Sequence, residues 1–310
     1  MVPSAPVFLA GPTAVGKSEV ALLLAEQLGG EIITVDSMQV YRGLDIGTAK
    51  PSATERARMP HHLLDVAELS ESFDAMRFCQ LARKAVEEIQ SRGRVPIFCG
   101  GTGLYFKAYL EGLGEAPPSD PQLRAELEAT PLDVLLRELA ERDPQTFERI
   151  DRQNPRRVVR AVEVIRLTGI PFSTQRSDWT VGTRNTQHAT CLFILTRPKP
   201  DLDQRINARV DEMFRRGLVE ETRQLLAHGL AENPTAMQAI GYRQVVEHLR
   251  GEPRKLSGLA ETVEMVKART RQYAKRQMTW FRGHTAATWM ELATNETAAE
   301  TCRRIVQSGK

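Results

Sequence analysis

The run Gly11-Pro12-Thr13-Ala14-Val15-Gly16-Lys17-Ser18 constrains this chain more than any other stretch, because it fits G-x-x-x-x-G-K-[ST] between a strand and a helix. An apolar run, Val7-Phe8-Leu9-Ala10, leads into it, and the good helix formers Glu19 to Gln27 follow it. Glycine lets successive backbone N–H groups turn inward on an anion, and the new helix points its positive end at the same place. Lys17 would add a point charge to terminal phosphates, and the Ser18 hydroxyl is placed to ligate Mg²⁺. A turn that merely reversed the chain would need neither. The loop therefore calls for a di- or triphosphate, without saying whether that ligand is a nucleotide.

At 310 residues the chain has room for one large core and a second lobe. Apolar and charged fractions of 41% and 26% are those of an ordinary globular protein, and no apolar run reaches the length of a membrane span. The first residues, Met1-Val2-Pro3-Ser4, lack a charged leader, so a cytoplasmic protein is expected. Cys79, Cys99, Cys191 and Cys302 include no C-x-x-C pair and read as core filler. A net charge of +3 announces no polyanionic partner by itself, so any nucleic-acid contact must rest on local charge.

Alternating elements define the fold class. Glu31 to Val35 is a β-branched strand with Asp36 at its carboxyl end, where ligands lie in open α/β sheets. Ala75 to Gln90 reads as a helix with Met76, Phe78, Leu81, Ala82, Val86 and Ile89 apolar. Val95 to Cys99 is a further strand, ending in Gly100-Gly101-Thr102-Gly103 and a helix through Leu110. From Pro117 to His188 the sequence reads as short helices, and a buried strand returns only at Ala189–Leu195. The expected architecture is α/β: a P-loop NTPase-like parallel sheet core with helices on both faces, in two halves (1–116 and 189–310) around an inserted helical lobe at 117–188. Asp201–Gly217 is expected as a helix capped by Asp201 and stopped by Gly217, with Arg205 and Arg209 one turn apart. A longer helix runs from Ser257 to Arg282, and Ala287–Leu292 is a closing edge strand.

Positive charge collects twice. Arg149, Arg152, Arg156, Arg157, Arg160 and Arg166 face only Asp151 and Glu163, a more one-sided segment than a solvated helix face normally shows. Lys267, Arg269, Arg271, Lys275, Arg276 and Arg282 have Tyr273, Trp280 and Phe281 among them. Basic residues interleaved with aromatics suit phosphate backbone and unstacked bases, although the aromatics could equally belong to the core. His61 and His62 precede an apolar run and are read as hydrogen-bonded structural residues.

A phosphate loop admits kinases, NTPases and transferases. No N-K-x-D motif reads guanine, and Val35-Asp36-Ser37 lacks the paired acids of a motor ATPase. A small-molecule kinase survives, since Asp36 could hold Mg²⁺ or activate a hydroxyl. One further run makes the choice. The run Asp36-Ser37-Met38-Gln39-Val40-Tyr41-Arg42-Gly43-Leu44-Asp45-Ile46-Gly47-Thr48-Ala49-Lys50-Pro51, like the phosphate loop itself, resembles that of the tRNA dimethylallyltransferases (tRNA isopentenyltransferases). The resemblance continues through Pro60–Asp65, Gly100–Tyr105, Asn154–Arg157, Arg205–Arg209, Ala239–Arg243 and Ala274–Trp280. Ser18 stands where many members have Thr, and no zinc-finger extension follows, so the bacterial type is expected.

The resemblance implies transfer of a dimethylallyl group from dimethylallyl diphosphate to N6 of adenosine 37, beside the anticodon of tRNAs reading codons that begin with U. It implies that Gly11, Pro12, Thr13, Ala14, Val15, Gly16, Lys17 and Ser18 hold the departing diphosphate with Mg²⁺ on Ser18, that Arg209 lies near it, and that Asp36 and Thr102 sit at the reacting centre. Asp36 would accept the N6 proton. The adenine would be extruded from its stack and held by Asp36, Ser37, Met38, Gln39 and Thr102. The anticodon stem-loop would be gripped by Arg124, by Arg156, Arg157, Val158, Val159 and Arg160, and by Gln238, Ala239, Ile240, Gly241, Tyr242 and Arg243. A monomer is expected. The rivals are a P-loop kinase, an ATP-binding RNA switch, and a prenyltransferase acting on free adenine nucleotides. A seventy-residue clamp speaks against the last.

Overall fold

A computed structural model describes residues 5–112, 116–175, 192–251, 258–283 and 287–308. The apolar run before the glycine loop forms β1 (Val7–Ala10) at the centre of a sheet completed by β2 (Gly30–Val35), β3 (His61–His62), β4 (Val95–Gly100), β5 (Leu192–Thr196) and β6 (Thr288–Glu291). The order is β3-β2-β4-β1-β5-β6 and every pairing is parallel. Strands buried on both faces read as unbroken apolar runs, and β1, β2 and β4 are buried along their whole length.

The pleat divides that core in two. Leu9, Ile97, Cys99, Phe193 and Leu195 pack with Val20 and Leu24 of α1 (Lys17–Leu28) and with Cys302 and Ile305 of α14 (Ala298–Ser308). On the opposite face Phe8 stacks on Phe98 at 4.7 Å, and Phe98 meets Tyr109 of α4 (Gly103–Glu111) at 4.6 Å. Tyr105 then stacks on Phe78 of α3 (Ala75–Ser91) at 4.4 Å. Helices therefore cover both faces, as the alternation predicts. Met76 is the exception on α3, being 37% exposed.

Several expectations shift. The strand expected at 189–195 begins among the described residues at Leu192 and extends to Thr196; residues 189–191, Cys191 included, lie outside them. The predicted start of the long helix at Ser257 also lies outside, and α13 spans Leu259–Arg282. β3 has no signal in the sequence, because a two-residue strand shows no periodicity. Its histidines are hydrogen-bonded: His61 Nδ1 meets Met59 O at 2.8 Å, and His62 Nε2 meets the Glu31 carboxylate at 2.6 Å. Asp201 does not cap its helix. Helix α10 (Lys199–Arg215) starts two residues earlier with Pro198 at the cap position, because Asp201 is drawn instead to Arg197 at 3.0 Å. Gly217, at φ 99°, caps the next helix, α11 (Leu218–Ala227).

The chain divides into two compact units, 1–110 with 185–310, and 111–184. The second unit is helical: α5 (Pro121–Ala129), α6 (Leu132–Arg142), α7 (Pro144–Arg149), α8 (Pro155–Thr168) and α9 (Phe172–Gln175). Three of its helices start the same way. Asp120, Asp143 and Asn154 each cap a backbone N–H three residues on, and each is followed by a proline at the first helical position. The apolar stripe Val158, Val159, Val162 and Ile165 of α8 packs on Leu127, Leu135 and Leu139.

Glu163 lies wholly buried in that unit, where it accepts from Ser119, from Arg160 at 2.7 Å and from Arg124 at 3.2 Å. Burial alone would raise its carboxyl pKa; those hydrogen bonds and the charges of Arg160 and Arg124 more than offset it, leaving the group below its ordinary 4.5. A paired buried charge is expensive to break. Glu163→Ala is expected to cost about 3 kcal/mol in denaturant unfolding, since it removes the buried carboxylate that two guanidiniums share. With the folded pKa depressed, this contribution is complete above pH 4.5 and is lost as pH falls below it.

Candidate active site

The glycine loop and the ends of β2 and β4 converge at the carboxyl edge of the sheet. Gly11 (φ 149°) and Gly16 (φ 108°) hold the loop in backbone regions that side chains rarely adopt, and a Cβ on Gly11 would come within 2.6 Å of Leu195 O. Gly16 caps α1, so the first N–H groups of that helix face the loop's mouth. Lys17 folds back to donate to Pro12 O at 2.6 Å.

Helix α10 braces the loop from outside. Arg209 donates to Thr13 Oγ1 at 3.1 Å, and Arg205 to Ala14 O at 2.9 Å. Arg197, just before the helix, donates to Val15 O at 2.9 Å. Spacing one turn apart placed Arg205 and Arg209 together, whereas the position of Arg197 depends on where β5 ends.

Asp36 sits at the end of β2, half-buried. Its Oδ1 accepts from the backbone of Met38 at 2.8 Å and of Gln39 at 3.2 Å, which curls the next residues around it. Thr102 Oγ1 accepts from Ser37 N at 3.1 Å, which ties the loop after β4 to the loop after β2. Gln39 turns its amide away, donating to Thr48 O at 2.9 Å. That loop is pinned from beneath. The buried Lys50 reaches Tyr41 O, Asp45 and Asp65 at 2.6 to 2.8 Å, and Glu221 accepts from Ile46 N at 2.9 Å.

Lys17, Asp36 and Arg209 lie close enough to feel one another. Burial dominates for each. It lowers Lys17 to about 8, partly opposed by Asp36, and it raises Asp36 although two backbone N–H groups and both cations oppose it. Arg209 is likewise lowered by burial. The arrangement is an anion cradle with two cations beside a carboxylate of raised basicity. Its Ser18 hydroxyl is exposed at the first turn of α1. Among the described residues no group of three or more His, Cys, Asp and Glu is placed to hold a metal ion.

Helix α13 supplies a site residue that its charge pattern does not single out. Gln277 Oε1 accepts from Thr13 N at 2.9 Å and its Nε2 donates to Gly101 O at 2.9 Å. Tyr273, one turn earlier, is half-buried, with Asp36 near enough to help burial raise its pKa. Phe281 is buried, and Trp280 packs on Gly103, where a Cβ would lie 2.1 Å from its ring. The aromatics of this basic segment thus belong to the core and the site, while Lys267 is paired with Asp211 at 2.7 Å and Glu264 at 2.9 Å.

The residues expected to grip RNA are not all available. Arg156 and Arg157 are exposed on α8, but Arg160 and Arg124 are committed to Glu163, and Val158 and Val159 are core residues of the helical unit. In the other unit Gln238, Ile240 and Arg243 reach the surface, with Arg243 at 3.0 Å from Glu247, whereas Ala239 and Gly241 are buried. Tyr242, at the start of α12 (Tyr242–Leu249), is wholly buried; its hydroxyl donates to Glu221 at 2.5 Å and accepts from Gly47 N at 3.0 Å. Val158, Val159 and Tyr242 therefore offer no side-chain surface to a polynucleotide. Their burial follows from packing, which a list of motif residues does not register.

Fold and site define a phosphate-loop α/β protein with a carboxylate poised beside its anion cradle. The profile of the IPP transferase family matches residues 39–284. The chain is 46% identical over 291 residues to tRNA dimethylallyltransferase 1 of Trichlorobacter lovleyi, covering 93% of each. It is 44% identical over 290 residues to the tRNA dimethylallyltransferase of Geobacter metallireducens, covering 92% of each. The crystal structure of the full-length tRNA isopentenylpyrophosphate transferase of Bacillus halodurans superposes with a TM-score of 0.70 at 38% identity, covering 99% of this chain and 97% of that one. A eukaryotic dimethylallyltransferase described as acting on tRNA gives 0.75 at 28% identity, over 96% of this chain and 77% of that one. The chain belongs to the tRNA dimethylallyltransferase family.

Proposed function

We propose that the protein transfers a dimethylallyl group from dimethylallyl diphosphate to N6 of adenosine 37 in tRNAs reading codons that begin with U, releasing diphosphate. The observation that carries this reading is the meeting of Lys17, Arg209 and the loop amides with Asp36 and Thr102 at one end of the sheet. The allylic C–O bond breaks as positive charge grows on carbon and negative charge on the leaving diphosphate, which the cradle and its cations stabilise. Adenine N6 is a poor nucleophile because its lone pair is delocalised into the ring. Asp36 orients the amine and accepts its proton as the new C–N bond forms. Bound Mg²⁺, held by Ser18 and the diphosphate, would neutralise further charge. Ser37, Met38 and Gln39 border the space for the extruded base, and Arg156, Arg157, Gln238 and Arg243 supply exposed contacts for the stem-loop. Among the described residues no helix is long and apolar enough to cross a membrane.

Labelled dimethylallyl diphosphate with an unmodified tRNA carrying adenosines at positions 36 to 38 is expected to yield labelled tRNA. Labelled AMP with inert tRNA would instead establish the free-nucleotide reaction. ATP hydrolysis or phosphate transfer in place of prenylation would establish the kinase or switch reading.

A further inference from the structure

Gln277 is only 7% exposed, and both ends of its amide meet main chain. Its Oε1 accepts from Thr13 N–H at 2.9 Å, and its Nε2 donates to Gly101 O at 2.9 Å. These partners fix the orientation of the amide, because a backbone N–H can only donate and a carbonyl can only accept. Thr13 belongs to the phosphate loop, where its hydroxyl also accepts from Arg209 at 3.1 Å. Gly101 belongs to the loop after β4, which holds Asp36 from both sides. The N–H groups of Gly101 and Thr102 each lie 3.2 Å from Val35 O, and Thr102 Oγ1 accepts from Ser37 N at 3.1 Å. One side chain therefore joins the loop that cradles the anion to the loop that holds the carboxylate. Gly101 makes the room for it: a Cβ there would lie 2.2 Å from Gln277 Nε2. The φ of Gly101 is not positive, so this space, rather than backbone freedom, is what a side chain would take away.

We infer that Gln277 is a positioning residue for the transfer step, setting the distance between the departing diphosphate and the amine held by Asp36. The inference rests on the transfer reaction proposed above. Strand pairing puts Ala10 beside Gly100, and Gln277 carries that register into the two loops beyond the strand ends. Arg197, Arg205 and Arg209 brace the phosphate loop against β5 and α10 and do not reach the loop after β4. Without Gln277 each loop would still bind its own ligand, but the reacting carbon and nitrogen would be free to drift apart. A displacement of about 1 Å is enough to cost about a hundredfold in rate. Gln277 thus contributes to the rate of transfer and little to the binding of either substrate.

The test separates rate from affinity. Gln277→Met keeps the length of the side chain and removes both hydrogen bonds, whereas Gly101→Ala leaves Gln277 in the chain and pushes its amide aside. Each variant is expected to slow single-turnover transfer to an unmodified anticodon stem-loop roughly thirtyfold at saturating donor and RNA. Pyrophosphate affinity by calorimetry and stem-loop affinity by fluorescence anisotropy are expected to stay within about threefold of wild type. In the double variant Gly101→Ala is expected to add less than about threefold, because the amide it displaces is already gone. Gly101→Ala carries the comparison by itself should Gln277→Met fail to fold. Wild-type transfer rates in both variants, a rate loss matched by lost pyrophosphate affinity, or losses that multiply in the double variant would overturn the inference and leave the transfer reaction standing. No transfer to the stem-loop by wild type would overturn both.

Discussion

Asp36→Asn is expected to bind diphosphate as wild type does and to lose about a thousandfold in single-turnover transfer, within the range general-base catalysis contributes. Asparagine is the informative replacement because its Oδ1 can still accept from Met38 and Gln39, so the loop keeps its shape while the basicity disappears. Asp36→Ala would remove both, and is expected to abolish turnover with diphosphate affinity intact. The acid limb of the wild-type pH profile provides a second check. Burial raises the Asp36 pKa above its ordinary 3.8, and the working form is the carboxylate. Transfer should therefore fall as pH is lowered through a midpoint above 3.8, and the Asn variant should lack that midpoint. Preserved turnover in Asp36→Asn would assign the base elsewhere.

Lys17→Ala is expected to reduce kcat/KM for the prenyl donor by about two to three orders of magnitude, comparable with deleting a preorganised donor to a developing negative charge. The fold should survive this change. Lys17 is held charged in a half-buried setting that already depresses its pKa to about 8, so its ammonium costs the free protein some desolvation energy. Removing it is expected to leave the melting temperature at or slightly above the wild-type value. Inorganic pyrophosphate titration with calorimetry measures the affinity, and differential scanning measures the stability. Lost affinity accompanied by a large drop in melting temperature would mean that Lys17 serves the fold rather than the ligand.

Much of the scaffold was legible in the residues because its signals are local. The run Val7–Ala10 could only be a buried strand, the glycine loop had to sit between strand and helix, and three caps followed by proline open helices of the second unit. Asp201 misled because capping competes with a salt bridge to Arg197, and nothing within the helix reveals that partner. The arginines between 149 and 166 misled for a related reason. Six basic residues against two acids suggested an open cationic face, but Arg160 and Arg124 neutralise Glu163 in the core, and Arg166 reaches Glu138 at 2.8 Å.

The amino-acid sequence alone determined what depends on spacing: a phosphate loop opening a helix, a carboxylate at the tip of the second strand, and Arg205 and Arg209 one turn apart. Tertiary structure decided what depends on meeting across distance. It brought Gln277 to Thr13 over 264 residues of chain, tied Ser37 to Thr102 across 65, and withdrew Tyr242 into the core. Helical and strand periodicity report which face of an element is apolar. They carry no record of which polar atom on another element will complete a buried hydrogen bond, and that pairing exists only once the parallel sheet has closed.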